Sequence, residues 1–89
     1  MNDTELTLCM PHTLRHAQAM EWLQSLDWPP RGQAGVLDAS ALQSFDSSAL
    51  ACMIELKRRA LERGVVLRTV GIPDRLGRLA QAYGLAELI

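Results

Sequence analysis

The stretch from Gly35 to Arg63, GVLDASALQSFDSSALACMIELKRRALER, constrains the fold more than any other part of the chain. It reads as a buried strand, a short polar turn and one long helix. Val36 and Leu37 are adjacent apolar residues behind a glycine, which suits a strand covered on both faces. Asp38, Ser40 and Ser44 supply turn chemistry. Asp46, Ser47 and Ser48 then stand in a row as candidate N-caps, because each side chain can accept from the free amides of a first helical turn.

The helix that follows runs to about Arg63 and stops at Gly64, a good C-cap residue. Arg58, Arg59 and Arg63 near its end suit the negative pole of the helix dipole. At about 100° per residue, Ala49, Leu50, Cys52, Met53, Ile54, Leu56, Ala60 and Leu61 span an arc of roughly 200°. A helix resting on a sheet needs little more than about half of that. Lys57 falls inside the arc, and a lysine is seldom buried. Two readings follow. Another helix covers the surplus, or one flank, made of Leu50, Ile54, Lys57 and Leu61, faces a partner.

The rest of the chain alternates the two element types. Residues 1–4 are expected to fray. Glu5 to Met10 alternates like a half-buried strand and is ended by Pro11. His12 to Leu26 favours a weakly amphipathic helix. DWPPRGQAG is a loop, in which Trp28 is either a lid on the core or an exposed contact. Strands are expected at Val36 to Ala39 and at Val65 to Val70. The last helix places Leu76, Leu79, Ala80 and Tyr83 at i, i+3, i+4 and i+7, with Pro73 at its first position and Gly84 past its end. A short final turn closes the chain. The order β-α-β-α-β-α implies an α/β fold, a small and mostly parallel sheet with covering helices.

Length and composition narrow the function. With 89 residues the chain is read as a single domain, 1–89. A hydrophobic fraction of 48% argues against disorder. The net charge of −1 gives no footing for a nucleic-acid partner. The basic residues nonetheless gather after Ile54, which would suit acidic lipid headgroups or an acidic partner. Cys9 and Cys52 sit in apolar surroundings, form no CxxC pair and read as two reduced, buried thiols in a cytosolic protein. No apolar run approaches the ~20 residues that span a bilayer, so any membrane association is indirect.

Catalysis finds little support. There is no GxxxxGK[ST], GxGxxG or GxSxG. His12 and His16 are spaced i, i+4 and could share a metal on a helix, but no third ligand has recognisable spacing. Neither a metal nor a cofactor is expected, and no base or oxyanion donor stands out for an enzyme.

A strand ending LDASAL, then SFDSSALACMIEL, a basic helix end, Gly64 and VVLRTVG resembles the STAS domain family of sulfate transporters and anti-sigma factor antagonists. The similarity continues through IPDRLGRLAQAYGLAELI. The family's helix start reads D-S/T-S/x-G-L, and here it is Asp46-Ser47-Ser48-Ala49-Leu50, with Ala49 in place of the small Gly. The family also opens with two strands, where this chain offers one. A strand fewer exposes a sheet edge that invites pairing with another copy, a homodimer.

The resemblance implies a non-catalytic interaction module. Ser47 matches the serine that a partner kinase phosphorylates in the sigma-antagonist branch. It also matches the Thr or Ser that helps the small Mla-type subunit of a bacterial phospholipid ABC transporter dock on its cytoplasmic ATPase subunit. Compact length and the RLAQAYGL segment are closer to the Mla type. The expected contacts are Ser47, its neighbours Asp46, Ser48 and Ala49, and the flank Leu50, Ile54, Lys57 and Leu61. The expected partner is the ATPase subunit; the alternative is an anti-sigma factor kinase. The expected place is the cytoplasm, peripheral to the inner membrane through that partner.

Overall fold

A computed structural model describes residues 6–89. Residues 1–4 and Glu5, the expected first strand residue, lie outside the described part. In chain order the elements are β1 (Leu6–Cys9), β2 (Thr13–Leu14), α1 (His16–Gln24), β3 (Ala34–Asp38), β4 (Ser44–Phe45), α2 (Ser47–Glu62), β5 (Val66–Val70) and α3 (Asp74–Ala82), then a closing 3-10 turn, Ala86–Leu88.

Three strands form an entirely parallel sheet in the order β1-β3-β5. Crossovers of this kind are right-handed, so steps taken in one direction stack their helices on one face. Accordingly α1 packs on α2, and α2 packs on β5 and α3. Register fixes what those helices cover. Leu8 pairs with Leu37 and Gly35 with Leu67, which puts all three leucines on one face. They are buried there, Leu37 completely. The opposite face carries exposed Thr7, Cys9, Val66 and Arg68; of the two cysteines expected to be buried only Cys52 is, because Cys9 points to the face that no helix covers. Val36 and Leu37 are both buried, as their adjacency implies, although helices cover only one side.

The expected α/β order holds, with shifts at its ends. The first helix starts at His16 rather than His12. The His12 carbonyl accepts from the amides of Gln43 and Ser44 at 2.9 and 3.0 Å, which keeps the segment extended. Thr13–Leu14 then pairs in parallel with Ser44–Phe45. The short β2 is all that follows β1 ahead of α1, and it stays outside the three-stranded sheet. Pro73 caps α3 from outside instead of opening it. Trp28 is a half-buried lid against the core, with the Arg63 guanidinium 4.9 Å from its ring centre.

One glycine is strongly favoured in the turn after β5. Gly71 has φ +69°, and a Cβ there would stand 2.8 Å from the Ser40 Cβ and 3.1 Å from the Ser40 amide nitrogen. It lets this turn close on the Asp38–Ser40 turn, where the Ser40 amide donates to Asp38 Oδ1 at 2.9 Å. The two loops lie at the carboxyl end of the sheet, the end from which all three helices start.

Candidate functional site

At that end, a single carboxylate organises two helix starts. Of the three candidate caps, Asp46 is the one used. Its Oδ1 accepts from the Ser48 amide at 2.9 Å, within the first turn of α2. Its Oδ2 accepts from the His16 amide at 3.3 Å, the first residue of α1. The Ser48 amide, helped by that of His16 and by nearby Arg15, holds the Asp46 carboxyl below the usual carboxylate range. Arg15 is anchored in turn, its Nε donating to Ser44 Oγ at 3.1 Å.

This arrangement leaves Ser47 over. It is the first residue of α2, it is exposed, and no described group holds its hydroxyl. Ser48 is half-buried beside it. A negative group at this position would meet the positive end of a sixteen-residue helix.

The remaining expected contacts divide. Ala49 is fully buried and Leu50 is 1% exposed, so neither offers a side chain to a partner. That corrects their place in the expected interface. The reason lies in packing: Leu50 belongs to the same core cluster as Phe45 and Leu76, with α3 seated against α2. Ile54 and Lys57 are half-buried, and Leu61 is 81% exposed. The outward flank therefore consists of these three, and it starts further along α2 than the wheel implies.

The acid–base groups of α2 are mostly spent on one another. Arg58 pairs with Glu55 and Glu62, and Arg59 with Glu55, each at 2.7 Å. The two guanidiniums hold the Glu55 carboxyl down to about 2. Burial pushes the Cys52 thiol up. His12 and His16 do not share a helix face: His12 Nε2 lies 2.8 Å from Gln43 Oε1, ahead of α1. Among the described residues no group of three or more His, Cys, Asp or Glu is placed to hold a metal ion.

Sequence reasoning missed the groove between α1 and α2. It has a volume of about 520 Å³ and opens beside Ser48, lined among others by Met20, Leu23, Ala51 and Cys52. Met20 is 62% exposed. The available signal was a methionine in a helix with a weak apolar stripe, since an adaptable side chain suits a contact surface.

A family model described as Mlab, STAS domain matches residues 6–89. No curated protein and no solved structure matches the chain.

Proposed function

From the premise that the chain belongs to the STAS domain family, we propose that it is a non-catalytic interaction module, the accessory subunit of an Mla-type phospholipid ABC transporter. It acts as one domain and docks on the transporter's ATPase subunit through the tip of α2. The observation that carries this is the free, exposed hydroxyl of Ser47 beside a cap already filled by Asp46. Asp46 and Ser48 hold that tip in shape, and the α1–α2 groove lies next to it. Ala49 contributes only its small size under the tip. No helix among the described residues is long and apolar enough to cross a membrane. In this reading the module reaches the inner membrane, from the cytoplasmic side, by way of its partner.

Affinity capture from native cells, with the bound proteins identified by mass spectrometry, tests this. The ATPase subunit of an ABC transporter is the expected catch. Ser47→Glu should lose it while shifting stability by no more than about 0.5 kcal/mol, as for other exposed substitutions. Recovery of an anti-sigma kinase in its place overturns the transporter reading.

The same exposed hydroxyl favours that second reading, an anti-sigma factor antagonist controlled by phosphorylation of Ser47. A serine open to water at a helix tip is within a kinase's reach. Incubation with the captured kinase and ATP, followed by phosphosite mapping, checks it; phosphate anywhere but Ser47 rules it out.

A further inference from the structure

The outer edge of β5 is unused by the interior. β5 is a terminal strand of the sheet. The Val66 amide donates to the Gln33 carbonyl at 3.3 Å, and the Val70 carbonyl accepts from the Ala39 amide at 2.9 Å. Backbone groups alternate sides along a strand, so Val66, Arg68 and Val70 face β3. Leu67 and Thr69 then turn their N–H and C=O groups to the open edge. Two donors and two acceptors are presented there in strand geometry.

A shelf overhangs this edge. A groove of about 270 Å³ is lined by Lys57, Ala60, Leu61, Val65, Val66 and Leu67. Leu61 and Val66 are the two most exposed large apolar side chains among the described residues, at 81% and 75%. Lys57 completes the shelf. Its neighbours Arg58 and Arg59 are tied to Glu55 and Glu62. Lys57 enters no ion pair with any described residue.

We propose that this edge takes an extended, acidic segment of another protein. The segment adds a strand beside Leu67 and Thr69, rests an apolar side chain on Leu61 and Leu67, and brings a carboxylate to Lys57. Main-chain bonds give such a contact its strength, and the side chains on either side give it selectivity. A second copy fits less well. Antiparallel pairing of two β5 strands that uses all four free groups centres on Arg68. Such a copy brings no carboxylate to Lys57, because β5, VLRTV, contains none. The proposal does not rest on the transporter reading. Leu61 lies fourteen residues beyond Ser47, about 21 Å along the helix.

The probe is a displayed library of random nine-residue peptides, selected on the purified full chain. Enriched peptides should alternate apolar and polar residues and carry Asp or Glu. In amide exchange, one such peptide should slow Leu67 and Thr69 and leave the already bonded Arg68 unchanged. Lys57→Glu should weaken it about fivefold and favour a lysine-bearing counterpart. Ser47→Glu should bind it as the parent does, so loss of the ATPase contact and loss of this one are told apart. No enrichment, enrichment of basic or helical peptides, or protection elsewhere overturns the proposal. So does concentration-dependent protection of Leu67 and Thr69 without peptide, which would show a second copy on the edge.

Discussion

Two leucines on the same apolar arc of α2 should behave in opposite ways when shortened to alanine. Leu50 is 1% exposed and sits in a cluster whose members Leu14, Leu37, Met53 and Leu76 are themselves 0% exposed. Such a site cannot collapse freely around a missing side chain, and buried Leu→Ala changes cost 2–5 kcal/mol. For Leu50→Ala we expect about 3 kcal/mol. A chain of this length is stable by roughly 5–13 kcal/mol, so the loss is a large share. At roughly 4–8 °C per kcal/mol, the melting temperature should fall by about 12–24 °C. Leu61 is 81% exposed. Its change to alanine should stay within about 0.5 kcal/mol, because little is uncovered and alanine is the better helix former. Urea unfolding followed by circular dichroism measures both, with an unchanged slope confirming that only stability moved. If Leu61→Ala costs more than about 1 kcal/mol, or Leu50→Ala less, the division of the arc into core and outward flank is wrong.

Three further changes probe the interior and the caps. Thr69 Oγ1 is buried without a hydrogen-bond partner among the described residues, so Thr69→Val should raise stability by about 1 kcal/mol in urea unfolding. A loss would mean that the hydroxyl is satisfied. Gly71→Ala should cost at least about 2 kcal/mol in the same assay, from the positive φ and the contact with Ser40; a neutral result would show that the two turns can move apart. Asp46 and Glu55 both titrate below their ordinary range, so each stabilises the folded chain above its unfolded pKa and loses that effect as pH falls through the folded value. Urea midpoints should therefore drop from about pH 5 to about pH 2, and Asp46→Asn should flatten the drop; an unchanged profile in that variant would show that Asp46 contributes nothing to it.

Much of the architecture could be read from residues because local and global signals agree. Gly64 stops α2, β-branched residues build β5, and the apolar spacing of Leu76, Leu79 and Ala80 gives α3. The misplacements have a common cause. A two-residue ladder such as Thr13–Leu14 with Ser44–Phe45 has no period to detect, and its hydrogen bonds come from residues some thirty positions away. Asp46 could be named as a candidate cap, but not that its second oxygen would reach His16, since that depends on how α1 returns across the sheet. The wheel showed that α2 was too apolar for one neighbour. It could not show that Leu50, roughly 100° from Ala49, would be covered while Leu61, only about 20° further round, would not. Cover depends on how far α3 extends along α2, which is a tertiary fact.

The same logic explains why the hydroxyl at Ser47 is available at all. If a serine capped α2, its oxygen would be committed to the helix's own free amides rather than open to a partner. Here Asp46 performs that task for α2 and also engages the first amide of α1. Ser47 is left with no structural duty. A phosphate on it would bring up to about two negative charges to the tip. The helix dipole favours them there and the neighbouring Asp46 carboxylate opposes them, so within the domain the two effects offset. A partner seated on the tip, as proposed, would have no such compensation and would meet the added charge in full. Under the proposed docking reading, the separation of the capping residue from the exposed hydroxyl would let one position alter binding while the fold beneath it stays put.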